Sequence, residues 1–547
     1  MSSQFEYMPI CSSPYIVEYV SKALLTSTSK YELAPEFRQL LLKNNLLHHV
    51  KYLLMENVHA KVELYVLCSK DIIKTPSEDS SNFYFWNKHT CLWKEKDKRK
   101  LESYLRNIIH NIYMTIYSLI DKLPRNIPVK VVHLSKLVPI KAGKILLSSI
   151  EDLCDCLLNI KNGCIMQSKL REIGQMYIEQ MIDENIEKLM NPRGYIAVQD
   201  NKIVNLKTGE IKQRTYQDYF TQEIKVKYNP NAVSPLWNKY LDEITLSKQD
   251  KIKFLQEFFG YCLTGDCRQG KLLMMIGESK AGKSILLSVL GLIFGKFSAS
   301  LDNSIIVDGG KSSNNPDPFL ADLKNKRLGI MNELKHNDII NTRKFKVLVT
   351  NEKLAYRNLY SPTIEHTTSQ HVLILASNHK PTFPETDRSI WERLVLVEFK
   401  ASFVDDPKLE GEFKIDRGLI SKLELELEAI LRWLVDGAIS YYRNDGLTIP
   451  KSSLRYLEKY KAISQDENEA YFYERLEKTS SDKDRIKTVD LYDDYKNWCI
   501  DHCVRKLLSK VPFEEFLERK GIHWKKSGTN YYTHVKLKKD NEDAVYG

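Results

Sequence analysis

Gly277-Glu278-Ser279-Lys280-Ala281-Gly282-Lys283-Ser284, GESKAGKS, meets every fixed position of the pattern G-x-x-x-x-G-K-[ST]. The apolar run Leu272 to Ile276 reads as a buried strand entering it, and Ile285, Leu286, Leu287, Val289 and Leu290 read as a helix leaving it. A loop between strand and helix aims backbone N–H groups at a phosphate where the helix dipole also favours negative charge. The segment therefore predicts a nucleoside triphosphate site, in which Lys283 reaches the β- and γ-phosphates and Ser284 holds magnesium. The competing reading is a glycine-containing turn before an ordinary helix.

Working outward, the residues downstream supply candidates for the chemistry. Glu333 ends the apolar strand RLGIMN, where a carboxylate holds a magnesium shell and polarises the attacking water. Asn378 ends a second apolar strand, HVLILAS, within reach of a γ-phosphate; alone it also reads as a turn residue before His379-Lys380-Pro381. Arg388 and Arg393 precede a third core strand, LVLVEF, and suit either an arginine finger for a neighbouring copy or structural ion pairs. Strands alternating with helices predict a mostly parallel α/β sheet flanked by helices.

At 547 residues the chain exceeds one core. Its 43% hydrophobic and 28% charged residues exclude wholesale disorder. No apolar stretch reaches the roughly 18 residues needed to span a bilayer, and MSSQFEYMPICSSPY lacks a signal-peptide layout, so an intracellular, soluble protein without a membrane partner is expected. The ten cysteines are read as reduced. Cys154, Cys156 and Cys164, and the set Cys499, His502 and Cys503, lack paired Cys-x-x-Cys halves and read as buried thiols rather than metal ligands. Net charge is +10, with clusters at Lys94 to Lys100 and at Lys525 and Lys526 that suit phosphate backbones or a solvated face.

Texture divides the rest. Residues 1–232 read as mainly helical, with stretches at Leu101 to Leu123 and Leu170 to Met190, an aromatic hairpin at Phe83 to Trp93 and a strand-rich piece at Ile196 to Lys212 turned at Thr208-Gly209. A helical connector spans 233–265, the nucleotide-binding core 266–402, and a helical extension 403–470 that includes a helix from Gly418 to Tyr442. Residues 471–547 read as two helices and a ribbon turned at Ser527 to Asn530, carrying Lys525, Lys526, Tyr531 and Tyr532. That layout looks like a winged helix, a fold that serves DNA or protein contacts.

In this order the motifs resemble a superfamily 3 helicase, and more closely the helicase half of the primase-helicases of large DNA viruses, phages and plasmids, the poxvirus-type group. The likeness runs from about Phe83 to Leu537 and includes YNPNAVSPLWNKYLDEI before the core and VDLYDDYKNWCIDH after it. It implies an AAA+-like P-loop ATPase core with Walker A at Gly277, Gly282, Lys283 and Ser284, Walker B at Glu333, sensor 1 at Asn378 and an arginine finger at Arg393. It implies ATP and Mg²⁺, DNA as partner and a hexameric ring. The segment Lys346 to Tyr360 matches the family's channel hairpin, so Lys353 and Arg357 are implied DNA contacts. Asn332 stands where many members carry a second acid, and Ala281 where an Asn is frequent. Asp152 and Asp155 look helical rather than a primase carboxylate pair, so either priming resides on a separate primase or polymerase chain or the protein works without it. The expected activity is ATP-driven DNA unwinding in viral or mobile-element replication, at a viral replication site or in host cytoplasm. The alternatives are an ATP-switched origin-binding initiator or loader, and a degenerate structural subunit.

Overall fold

The computed structural model describes residues 62, 65–66, 73–77, 80, 82–122, 131–134, 144–147, 150–307, 318–334, 338–350, 353–356, 365–381, 383, 388–465, 467–481, 483–501, 507–527 and 529–538. The chain forms two compact units, residues 1–190 with 214–221, and residues 191–213 with 222–547.

In the first unit, β1 (Ile73–Lys74), β2 (Asn82–Asn87) and β3 (Leu92–Asp97) make an antiparallel sheet. The aromatic hairpin pairs Trp86 with Trp93. Trp93 is buried, donates its ring N–H to the Tyr216 carbonyl at 2.8 Å and stacks on Tyr219. Helix α1 (Leu101–Asp121) follows, then the strand pair β4 (Val131–Leu134) and β5 (Lys144–Leu147), and helices α2 (Ile150–Cys164), α3 (Gln167–Gln180) and α4 (Ile186–Leu189). The expected helix from Leu170 to Met190 is interrupted between α3 and α4. There Ile182 bridges Thr75 in parallel, with Thr75 N–H on the Met181 carbonyl and Asp183 N–H on the Thr75 carbonyl. A sheet hydrogen bond thus replaces a helical turn. Asp152 and Asp155 lie on α2, and Cys154, Cys156 and Cys164 are buried.

The second unit opens with an antiparallel meander, β6 (Tyr195–Val198), β7 (Lys202–Asn205) and β8 (Ile211–Gln213). Pro235 at the first turn starts α5 (Pro235–Thr245), where the Ser234 hydroxyl accepts from Trp237 N–H at 3.1 Å. Helix α6 (Gln249–Thr264) ends at Gly265 in the left-handed region.

The sheet that follows contains β9 (Leu272–Gly277), β10 (Ser298–Leu301), β11 (Leu328–Asn332), β14 (Val372–Ser377) and β15 (Leu394–Phe399), in the order β10-β11-β14-β9-β15 and parallel throughout. Helix α7 (Lys283–Phe294) leaves β9 and α8 (Thr342–Val349) lies between β11 and β14. An antiparallel ribbon, β12 (Lys353–Tyr356) with β13 (Glu365–Thr368), follows α8, and the short α9 (Arg388–Trp391) leads into β15.

Runs such as LLMMIG and VLILAS lack polar alternation because both sheet faces are covered. Leu273, Met275, Ile374 and Val395 join one apolar cluster with α5, α6, α7 and, farther along, the helix at Leu427–Arg443. Leu272, Met274, Leu373 and Leu394 join a second with α8, α9 and the helix at Lys451–Gln465. A parallel pair β16 (Ser402–Val404) and β17 (Glu412–Lys414) precedes α10 (Leu419–Glu424), α11 (Leu427–Arg443), α12 (Lys451–Gln465) and α13 (Glu467–Arg475). The predicted helix from Gly418 to Tyr442 is two, broken at Leu425 and Glu426; Leu425 is 89% exposed and Glu426 accepts the Ser234 hydroxyl.

The chain ends with β18 (Leu476–Lys478), β19 (Arg485–Lys487), α14 (Thr488–Asp501), α15 (Lys510–Arg519), β20 (Trp524–Ser527), β21 (Thr529–Thr533) and β22 (Val535–Leu537). Here β18 pairs with β22, and β19-β21-β20 form an antiparallel sheet. Cys499 is buried on α14, whereas His502 and Cys503 lie outside the described residues. Among the described residues, no helix is long and apolar enough to cross a membrane.

Helices α6 and α11 touch backbone to backbone. A Cβ on Gly437 would stand 1.9 Å from the Gln256 carbonyl oxygen, and one on Gly260 would stand 2.1 Å from Ala438 N. Gly291 on α7 has nothing within 4 Å of its would-be Cβ. The same change should therefore have opposite signs. Gly437→Ala should destabilise by roughly 1–3 kcal/mol or more. Gly291→Ala should stabilise by about 0.5–1 kcal/mol. Melting midpoints that move in the same direction would contradict the close helix crossing.

Candidate functional site

Because the five strands are parallel, their carboxyl ends share one sheet edge. The chain leaves β9 toward β10 at one side and leaves β14 toward β15 at the other, so a crevice opens between adjacent strand ends, where ligands of open α/β sheets bind. The GESKAGKS loop occupies that position. Lys280 and Gly282 have φ of 66° and 86°, which folds the loop into a concave turn. Only glycine fits at 282, since a Cβ would lie 2.6 Å from Ile244 Cγ2. At Gly277 a Cβ would meet the Phe399 carbonyl oxygen at 2.4 Å.

Neighbouring elements pin the loop. The Tyr240 hydroxyl on α5 donates to the Gly282 carbonyl at 2.6 Å, and Phe403 N–H on β16 donates to the Lys280 carbonyl at 3.0 Å. Helix α7 begins at Lys283 with no side-chain cap, so its first N–H groups face the cavity. That cavity measures about 640 Å³ and is lined by Lys280 to Ser284, with Asn332, Glu333 and Asn378 among its other walls. Ser279 also lines it, Glu278 is exposed beside it, Ala281 is buried under the loop, and Ser284 is exposed into the opening.

Lys283 is 8% exposed. Its ammonium donates to the Gly277 carbonyl, to the Glu278 carbonyl at 2.9 Å and to Asn378 Oδ1 at 2.9 Å. Burial pulls its pKa below the ordinary lysine value, while Glu333 and Glu278 push it back. Asn378 is thus the partner of a lysine 95 positions earlier.

Glu333 follows β11 in the left-handed region, at φ 53°. Its N–H donates to the Ala376 carbonyl at 2.9 Å, and the Asn303 side chain donates to the carbonyls of Asn332 and Glu333. Holding a non-glycine residue there costs about 1 kcal/mol or more, and such strain is stored where a side chain's position matters.

The donor set fits a nucleotide with its magnesium. Uncapped helix N–H groups, the concave loop and a buried cation match a polyphosphate. Ser284 and Glu333 offer one hydroxyl and one carboxylate, and among the described residues no group of three or more His, Cys, Asp and Glu side chains gathers to hold a metal by itself. Magnesium needs few protein ligands where phosphate oxygens complete its shell.

The other predicted residues lie elsewhere. Arg393 precedes β15, and its carbonyl accepts from Leu272 N–H at the amino end of β9. Register sets Leu394 beside Leu272 and Phe399 beside Gly277, so Arg393 is roughly 20 Å of strand from its own chain's loop. Its guanidinium donates to the Ser389 carbonyl at 2.8 Å. Arg388 starts α9. Lys353 is in β12, paired with Thr368, and Arg357 lies outside the described residues. Lys525 and Lys526 are exposed on β20, in another sheet of the same unit.

Sequence reading passed over Tyr240, Phe403 and Lys380. A second cavity, about 600 Å³, flanks the loop between Ser279 and Tyr456. In it the Lys380 ammonium lies 5.2 Å from the Tyr456 ring centre and 5.9 Å from that of Tyr460, and burial lowers its pKa. Local sequence gave no sign of these contacts, because each joins elements far apart in the chain.

Two family models match: "D5 N terminal like" over residues 67–246, and a family of unknown function designated DUF5906 over residues 275–393. A putative helicase of Acanthamoeba polyphaga mimivirus is 24% identical over 58% of this chain and 34% of its own length. The protein called primase D5 of fowlpox virus (strain NVSL) is 24% identical over 49% of this chain and 34% of its own. The chain spans about a third of the length of these curated relatives. A solved structure, the apo NrS-1 C-terminal region, is 14% identical, with a TM-score of 0.34 over 58% of this chain and 68% of that one.

Replacing Glu333 with glycine should separate stability from function. The change relieves the left-handed backbone and should raise stability by about 1 kcal/mol while removing the carboxylate. A lowered melting midpoint would mean that the side chain is kept there for packing.

Proposed function

We propose that this chain, a homologue of the D5-like primase-helicases of poxviruses, iridoviruses, African swine fever virus and mimivirus, is a P-loop NTP hydrolase that works as a ring-forming superfamily 3 DNA helicase in viral or mobile-element replication. The observation that carries the reading is the bond between Lys283 and Asn378 inside a cavity walled by the GESKAGKS loop and Glu333.

On this reading ATP is the substrate. Lys283 exchanges its carbonyl and Asn378 acceptors for the β- and γ-phosphate oxygens, a swap that costs little because the cation stays hydrogen-bonded throughout. Asn378, freed from the lysine, orients toward the γ-phosphate. Glu333 accepts a proton from the attacking water, and its fixed backbone keeps the carboxylate aimed. Magnesium, held by Ser284 and Glu333 with the substrate's oxygens, would neutralise charge on the leaving phosphate.

Arg393 serves a neighbouring copy's site. Its distance from its own loop supports this, since rings formed by head-to-tail contacts bring one copy's residues to the next copy's nucleotide. The β12–β13 ribbon, which carries Lys353, tracks a DNA strand together with Arg357, the next residue in sequence after β12, and the region from α13 to β22 acts as a winged-helix module that adds backbone contacts. The viral origin of the relatives supports placing the protein at a site of viral DNA replication.

Phosphate release by the full chain tests the hydrolase reading. Lys283→Ala should abolish turnover, and Glu333→Gln should retain nucleotide binding while losing roughly 10² to 10⁴-fold in rate. Unchanged turnover in Lys283→Ala would refute the site.

A mixing experiment tests the shared site. Arg393→Ala and Lys283→Ala proteins, each inactive, should regain part of the activity when combined, because mixed assemblies contain some intact interfaces. Mixed assemblies with no regained activity would remove Arg393 from catalysis.

A further inference from the structure

The carboxyl-terminal three-stranded sheet sorts its residues strictly by face. Cross-strand pairs set Tyr532 between Ile486 and Trp524, and on this side Tyr532 is buried and Ile486 packs into the apolar cluster with α14 and α15. The alternate residues face away from that core. There Tyr531 stands between Lys487 on β19 and Lys525 on β20, with Thr533 paired to Arg485 one step along. The Arg485 guanidinium lies 5.3 Å from the Tyr531 ring centre. Arg485, Lys487 and Lys525 are exposed. Lys526, paired with Asn530, belongs to the other side of the ribbon, so the two adjacent lysines do not act together.

Helix α15, where a groove-reading helix would stand in a winged-helix module, has the opposite charge. It carries Glu514, Glu515 and Glu518 against Lys510 and Arg519. The exposed carboxylates of Glu515 and Glu518 repel a phosphate backbone, whereas the outward sheet face offers three cations around one ring and no carboxylate at its strand positions.

We propose that this outward face, built on Tyr531 with Arg485, Lys487 and Lys525, binds single-stranded nucleic acid by stacking an unpaired base on Tyr531 while the cations hold the flanking phosphates. The proposal rests on the nucleic-acid-binding reading above and deepens it: the sheet rather than the helix is the contact, and a single strand rather than a duplex is the ligand. A base inside a duplex cannot present its face to a tyrosine, whereas sheet-borne aromatics among cations form sequence-tolerant single-strand platforms.

Fluorescence anisotropy of the full chain with a labelled oligothymidylate, together with photocrosslinking of an iodouracil-containing strand, tests this. Tyr531→Ala should weaken binding roughly tenfold or more, whereas Tyr531→Phe should remain within about twofold, since the ring is what stacks. Arg485→Ala, Lys487→Ala and Lys525→Ala combined should flatten the dependence of log affinity on log salt by about 2. The crosslink should map to the peptide containing Tyr531, and Glu515→Gln should leave single-strand binding unchanged. Melting midpoints check each fold, and Lys525→Glu replaces the triple variant if that one unfolds. Wild-type binding that none of these changes weakens, or variants that lose only duplex binding, would overturn the proposal alone. A wild-type chain that binds no single strand would overturn it together with the helicase reading.

Discussion

A lysine ammonium that leaves bulk water must find acceptors, and the position of Lys283 is set by that need. It is held by two loop carbonyls and by Asn378, so a single cation ties the start of α7, the end of β9 and the end of β14. The contact exists because β9 and β14 are parallel neighbours, which sets Ser377 beside Ile276 and brings both strand exits to one edge. The continuous burial of both strands makes that pairing stable. Tyr240 and Phe403 then fix the loop's far side, leaving its concave backbone open to the cavity.

The features that followed directly from sequence are those encoded locally. The loop pattern, the apolar runs at Leu272, Val372 and Leu394 and the aromatic hairpin around Trp86 and Trp93 each declare themselves within a few residues. Features that depend on long-range pairing were not legible. The sequence reading sets Lys283 and Asn378 at one γ-phosphate but does not foresee the bond between them, and nothing near Tyr240 announces Gly282. The break after α3 comes from Thr75, more than a hundred residues away, bridging to Ile182. Arg485 and Lys487 illustrate a middle case. Their period-two spacing around Ile486 was present in the sequence, but a three-residue strand before a helix is too short to stand out.

Electrostatics separates the ends of the second unit by task. At the strand exits, a buried cation, Glu333 and uncapped N–H groups converge on one open cavity that a small anion can enter. On the outward face of the β19-β21-β20 sheet, the cations are exposed and flank an aromatic ring, an arrangement whose attraction for phosphate falls with salt. The first environment suits chemistry on one small anion, and the second suits grip on a long one.

The structure of the full chain with magnesium and a non-hydrolysable ATP analogue is the most direct measurement. The phosphates should lie against the N–H groups of residues 280–284, with Lys283 released from the Gly277 carbonyl and turned onto them and Asn378 facing the terminal phosphate. Density for the analogue elsewhere, with Lys283 still bound to Gly277 and Asn378, would contradict a nucleotide site at this loop.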